Sequence, residues 1–185
     1  ENIQWATRVW WMMRAIGFDG ASVLDGGIDK WEAEGRPISQ EIKQYPATKL
    51  SVKSRTGLFC DKGEVLAGIK DNNTCIINAL RETLHSGSED VNYGRPGRIP
   101  GSTNVPGVSL LNPETRSYRP LAELETVFRE AGALAADRVL IYCGGGIAAS
   151  SDAFILTLLG KTNVGVYDAS MSEWAKDPTL PMETG

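Results

Sequence analysis

The feature that most constrains this chain is an internal repeat. Ala6, Gly17, Val23, Asp25 and Trp31 recur as Ala149, Gly160, Val166, Asp168 and Trp174, all at one constant offset of 143 with no gap. Each copy reads as a helix, a Gly stop, a short β run ending in Asp, and a short amphipathic turn ending in Trp. Repetition at a fixed period identifies a duplicated structural unit before any residue-level argument. Residues 1–39 therefore read as the C-terminal part of a first domain, residues 40–52 as a linker, and residues 53–185 as a complete second copy. On the same offset Cys143 maps to the position before Glu1, so the front of the first copy is expected to lie outside this sequence: either it is a partner segment, separate or unseen, or the first-copy piece packs elsewhere. The chain begins without Met or a basic-apolar leader, which leaves an upstream targeting segment open.

Within the second copy, apolar spacing predicts a helix over 61–70 with Asp61 as N-cap and Val65, Leu66 and Ile69 on one face. A second helix is expected over 121–131, with Leu121, Leu124, Val127 and Phe128 aligned and Gly132 as its stop. A third is expected over 148–159, ended by Gly160. Thr74–Asn78, Val139–Tyr142 and Val164–Tyr167 are short runs with apolar centres, as in buried parallel strands. Ser86–Gly97 reads as a long loop. Strands alternating with helices predict an α/β fold: a parallel sheet flanked by helices on both faces.

Composition narrows the function. The 185 residues carry 19 basic and 23 acidic side chains, a net charge of -4, which argues against a nucleic-acid partner. No apolar run approaches the roughly 18 residues of a membrane span. Cys60, Cys75 and Cys143 are odd in number and form no CxxC, which excludes a disulfide framework and a zinc site and favours a reducing, cytoplasmic setting. A single histidine, His85, excludes a multi-His metal site; it is placed on a loop surface. No metal and no cofactor is expected.

The segment with chemistry is Val139-Leu-Ile-Tyr-Cys-Gly-Gly-Gly-Ile-Ala-Ala-Ser150. A buried strand runs into Cys143, then Gly144, Gly145 and Gly146, then a helix opening at Ile147 and Ala148. Ligands of open α/β sheets bind at the carboxyl ends of strands. The glycines let backbone N–H groups converge as an anion nest, and the helix adds its positive end. A thiol there is activated without a histidine, and the cradle fits a negative group attached to sulfur. A P-loop needs Gly-Lys-Ser/Thr and a dinucleotide fingerprint needs G-x-G-x-x-G; neither is present. A Cys phosphatase needs an Arg in the loop, where Ala148, Ala149 and Ser150 stand. Cys75, inside an apolar strand, and Cys60, with no nest, read as structural.

These residues resemble the tandem-domain rhodanese-like sulfurtransferases. Cys143-Gly-Gly-Gly-Ile-Ala148 is similar to the six-residue active-site loop of the catalytic second domain. Gly97-Arg-Ile-Pro-Gly-Ser-Thr-Asn-Val-Pro106 is similar to the family's Gly-His-Ile-Pro-Gly-Ala-x-Asn-Ile-Pro signature. Val23-Leu-Asp-Gly-Gly-Ile-Asp-Lys-Trp31 resembles the segment closing a rhodanese domain, and Cys75–Ala79 takes the place of a strand ending in Asp-Ala-Arg. The resemblance implies an inert first domain and a catalytic second one. Cys143 would take a sulfane sulfur from a small donor, thiosulfate or 3-mercaptopyruvate, as a persulfide, and yield it to cyanide or a thiol. The departures are specific. Gly144 and Gly145 stand where thiosulfate users have Arg and Lys, and Gly145 stands where mercaptopyruvate users have Ser. Leu84 replaces the carboxylate-binding Arg, Asn78 the strand-end Asp, and Arg98 the signature His. Arg95 and Arg81 are the candidates for a replacement charge at the substrate. The alternative is a non-catalytic rhodanese-fold interaction or regulatory module; a phosphate- or arsenate-handling Cys enzyme is a third reading.

Overall fold

The computed structural model describes residues 3–90 and 93–185; the part of the expected 86–97 loop at residues 91 and 92 lies outside them. Thirteen short elements follow one another: α1 (Ile3–Ala15), α2 (Gly27–Ala33), β1 (Phe59–Cys60), α3 (Lys62–Gly68), β2 (Thr74–Asn78), α4 (Glu82–Ser86), β3 (Thr103–Asn104), a 3-10 turn (Gly107–Leu110), α5 (Leu121–Glu130), β4 (Arg138–Tyr142), α6 (Ile147–Leu158), β5 (Val164–Tyr167) and α7 (Ser170–Trp174). The five strands form one parallel sheet in the order β1-β5-β4-β2-β3, as the alternating pattern predicts.

Strand periodicity divides the core between two faces. Val139 and Ile141 of β4 pack with Leu124 and Phe128 of α5, Ala153 and Ile155 of α6, and Trp11 of α1. Leu140 and Tyr142 of the same strand pack with Val65 of α3 and Met171 and Trp174 of α7. Local caps agree with the sequence. The Asp61 carboxylate accepts from the Glu64 N–H at 2.9 Å, and Gly132 takes the left-handed conformation just after α5. The expected loop starts later than Ser86, because α4 runs to that residue.

α1 and α6, the two helices related by the sequence offset, pack against each other. Gly17 and Gly160 end them at φ +87° and +85°, and Gly27 and Ser170 both hold positive φ, +60° and +50°. One expectation fails. The run ending at Asp25 forms no strand, because no neighbouring strand supplies the ladder that its counterpart β5 receives from β4 and β1. Instead α1 packs on α6 and on the segment leading into β1. Trp11 Nε1 donates to the Leu58 carbonyl at 2.9 Å, and Trp10 meets Phe154 edge-on with centroids 4.9 Å apart. Residues 36–52 carry no helix or strand and are exposed.

Candidate active site

β4 delivers Cys143 to the carboxyl end of the sheet, and the glycine loop turns back into α6. The loop is held from one side by the segment joining β5 to α7. The Cys143 N–H donates to Ser170 Oγ at 3.1 Å, the Cys143 carbonyl accepts from the Met171 N–H at 3.0 Å, and the Gly144 carbonyl accepts from both the N–H and the hydroxyl of Ser172 at 3.0 and 2.6 Å. By contrast, the N–H groups of Gly144, Gly145 and Gly146 donate to no described residue. Ile147 and Ala148 follow in the first turn of α6, where N–H groups have no intrahelical acceptor. The five residues that the sequence singled out after Cys143 thus run consecutively through the loop and into the first turn of α6.

The three glycines have different structural reasons. Gly146 has φ +77°, and a side chain there would press on the Asp168 carboxylate and the Arg8 guanidinium. Gly144 has no room for a Cβ, which would overlap the Tyr93 ring at Oη and Cζ. Gly145 faces open space. Cys143 itself is only 3% exposed, and Tyr93 covers its neighbour. Burial, followed by the proximity of Cys143, holds the Tyr93 phenol above its ordinary range, so its hydroxyl keeps its proton at neutral pH. The other cysteines are unlike a nucleophile. Burial pushes the Cys60 thiol up to about 12 and the Cys75 thiol up to about 11.

The two arginines chosen from the sequence are engaged elsewhere. Arg81 is at the N-cap of α4 and forks onto Glu89. Arg95 donates to the carbonyls of Trp174, Ala175, Asp177 and Leu180, at 2.7–3.1 Å, and so closes the C-terminal end of α7. Arg98 pairs with Glu183 and ties down the chain's last residues. His85 is not on a loop surface but half-buried in α4, with Nδ1 3.1 Å from Asn78 Nδ2. Burial, then the nearby Arg98, lowers its pKa to about 4, so it is neutral at pH 7. Asn78 in turn accepts from the Leu80 N–H at 2.9 Å; this pair braces the end of β2.

Sequence reasoning missed three residues: Tyr93, Arg8 and Asp168. Arg8 of α1 pairs with Asp168 at 2.5 Å beside Gly146. The repeat offered a signal for Asp168, since it is matched by Asp25, but none for its partner.

A rhodanese-like domain family model matches residues 62–177, more than half of the chain. The chain belongs to the rhodanese-like family. Among curated rhodanese-like relatives, it is similar to thiosulfate/3-mercaptopyruvate sulfurtransferase 2 of Arabidopsis thaliana (32% identity, 96% of this chain and 58% of the relative). It is also similar to the thiosulfate sulfurtransferase of Gallus gallus (29%, 92% and 58%) and the 3-mercaptopyruvate sulfurtransferase of Escherichia coli K12 (28%, 98% and 65%). The chain spans less than two thirds of the length of these three. A solved structure similar to it is an anaerobic ergothioneine biosynthesis enzyme from Chlorobium limicola, in complex with trimethyl histidine. Identity is 26% and the TM-score 0.87, over 98% of this chain and 45% of that one. A second, with the same figures, is a complex with ergothioneine covalently linked with a persulfide cysteine. No described helix is long and apolar enough to cross a membrane.

Proposed function

We propose that this chain carries the catalytic part of a sulfurtransferase, with Cys143 as the sulfur-carrying nucleophile. The observation that supports this best is the row of undonated N–H groups at Gly144, Gly145 and Gly146 directly after Cys143. Such a nest stabilises charge on the thiolate and on a terminal persulfide sulfur. The names of the curated relatives support the reaction class.

In the first step the Cys143 thiolate attacks the sulfane sulfur of the donor. With thiosulfate, the S–S bond breaks and sulfite leaves with the electron pair. With 3-mercaptopyruvate, the C–S bond breaks, and the carbon takes the pair and the thiol proton to give pyruvate. In the second step cyanide or a thiolate attacks the outer sulfur, leaving as thiocyanate or a persulfide and restoring the Cys143 thiolate. No cofactor is needed. Residues 1–39 would be the end of a first, inert domain, 40–52 the linker, and 53–185 the catalytic domain. The preceding part of the first domain would be the partner that covers the exposed Trp5, Val9 and Met12 on α1. A cytoplasmic location is part of the same reading.

A non-catalytic module is favoured by one observation: Arg81 and Arg95, the expected substrate cations, are already bonded to Glu89 and to backbone carbonyls. Thiocyanate release by the purified full-length protein separates the two. Cyanide plus thiosulfate or 3-mercaptopyruvate yields thiocyanate with the wild type and none with Cys143→Ser if the enzyme reading holds. Equal background from both proteins with both donors would leave the module reading.

A further inference from the structure

The loop after Cys143 carries no charge of its own, and Arg81 and Arg95 have other partners. Arg8 is different. It comes from α1, in the first copy, yet its guanidinium sits against the Gly146 end of the Cys143 loop. Three contacts define its place. Nη2 pairs with Asp168 Oδ1 at 2.5 Å. The guanidinium carbon stands 5.2 Å from the Phe59 ring centroid. Nη1 lies 2.9 Å from where a Gly146 Cβ would be. The side chain is 17% exposed, and Nη1 is buried with no hydrogen-bond partner among the described residues. A buried, unsatisfied guanidinium N–H is costly for a purely structural side chain.

The repeat supplies an internal control. The second-copy position equivalent to Arg8 is Ser151. At that crossing the first-copy Asp25 accepts from the Tyr118 N–H at 2.8 Å, and the Tyr118 hydroxyl meets Ser151 Oγ at 2.7 Å. At the same swapped junction, helix of one copy to aspartate of the other, the aspartate is therefore met by a backbone N–H and the helix by a phenol hydroxyl. The cation is placed at the Cys143 end.

We infer that Arg8, supplied by the first copy, is the positioning residue of the Cys143 site: it fixes the Gly146 end of the loop and provides the positive charge that the loop lacks. Gly146 and Cys143 are three residues apart, at most about 11 Å of chain, so the charge acts within reach of the sulfur. Asp168 offsets part of it. The inference rests on the nucleophile reading, but its test needs no sulfur donor.

The test is the second-order rate of Cys143 alkylation by iodoacetamide at pH 7 in the full-length protein, read by peptide mass. Arg8→Met keeps the bulk and removes the charge; it is expected to slow alkylation about tenfold, the size of one unit charge at this range in a protein-like dielectric. Arg8→Lys keeps the charge and stays within about twofold of the wild type on the same arithmetic. Asp168→Asn removes the offsetting charge and leaves the rate unchanged or faster. Thermal melts show that each variant is folded at the assay temperature. Arg8→Met at the wild-type rate overturns the inference. So does Arg8→Lys as slow as Arg8→Met, or Asp168→Asn slowed like Arg8→Met, since either would mean contact geometry alone. If the alkylation pattern holds but no sulfur is transferred, Arg8 stands and the reaction assigned to Cys143 fails.

Discussion

The three glycines after Cys143 are identical in sequence but not in cost, and substituting each by Ala separates their roles. At Gly146 the left-handed conformation, φ +77°, costs an L-residue about 1–2 kcal/mol. The new Cβ would also stand 2.7 Å from Asp168 Oδ1, 2.9 Å from Arg8 Nη1 and 3.1 Å from the Asp168 carbonyl. The two side chains can yield, but only by loosening their ion pair, and the carbonyl belongs to backbone. A total near 2 kcal/mol follows, a fall in Tm of about 4–8 °C for a chain of this size. At Gly145 nothing lies within 4 Å and φ is not positive. Ala there leaves stability unchanged or raises it by up to about 1 kcal/mol through the unfolded chain. At Gly144 the Cβ would reach 2.7 Å from Tyr93 Cε1 and closer still to Cζ and Oη, so the ring must swing away, and the change is felt at the cysteine more than in Tm. Thermal unfolding and thiocyanate release, measured on the three variants in parallel, check the order. Gly145→Ala should keep both stability and turnover; Gly146→Ala should lose both. Equal behaviour of Gly145→Ala and Gly146→Ala would refute the account of the loop.

Three further outcomes follow from the same structure. Asp152 is fully buried on α6 with neither carboxylate oxygen bonded to a described residue, and burial holds its pKa well above 3.8. Below 3.8 both states are protonated; above it the unfolded state releases the proton first, so stability falls as pH rises toward the folded value. Asp152→Asn, followed by urea unfolding from pH 4 to 8, should flatten that fall, and an unaltered pH dependence would contradict it. Iodoacetamide at pH 7 should label Cys143 and spare Cys60 and Cys75, whose thiols stay protonated far above neutrality; peptide mapping that finds Cys60 or Cys75 labelled first would count against this. Tyr93→Ala should speed Cys143 alkylation, because the ring lies over Gly144; a slower rate would mean that the phenol assists the thiol instead of covering it.

Much of the architecture was legible because it is written locally. Apolar runs and caps placed β2, β4, β5, α3, α5 and α6 within a residue or two, and the 143-residue offset paired α1 with α6 and α2 with α7. The glycine loop between β4 and α6 was legible for the same reason, since Cys143 and the glycines are consecutive. What failed was whatever depends on partners distant in sequence. The run to Asp25 has strand composition but no neighbouring strand. Arg95 looked like a substrate cation because nothing local shows that four carbonyls around the end of α7 accept from it. Arg8 meets its aspartate 160 positions away, and Tyr93 reaches the loop from an irregular segment whose sequence gives no direction. His85 reads as a surface residue in sequence because its partner Asn78 belongs to another element, the end of β2.

The central claim is that Cys143 carries sulfur. Intact mass of reduced full-length protein, before and after thiosulfate or 3-mercaptopyruvate, tests it most directly. The account predicts a gain of one sulfur atom on the wild type, lost on adding cyanide and absent from Cys143→Ser. No gain from either donor, or a gain that persists in Cys143→Ser, would contradict it.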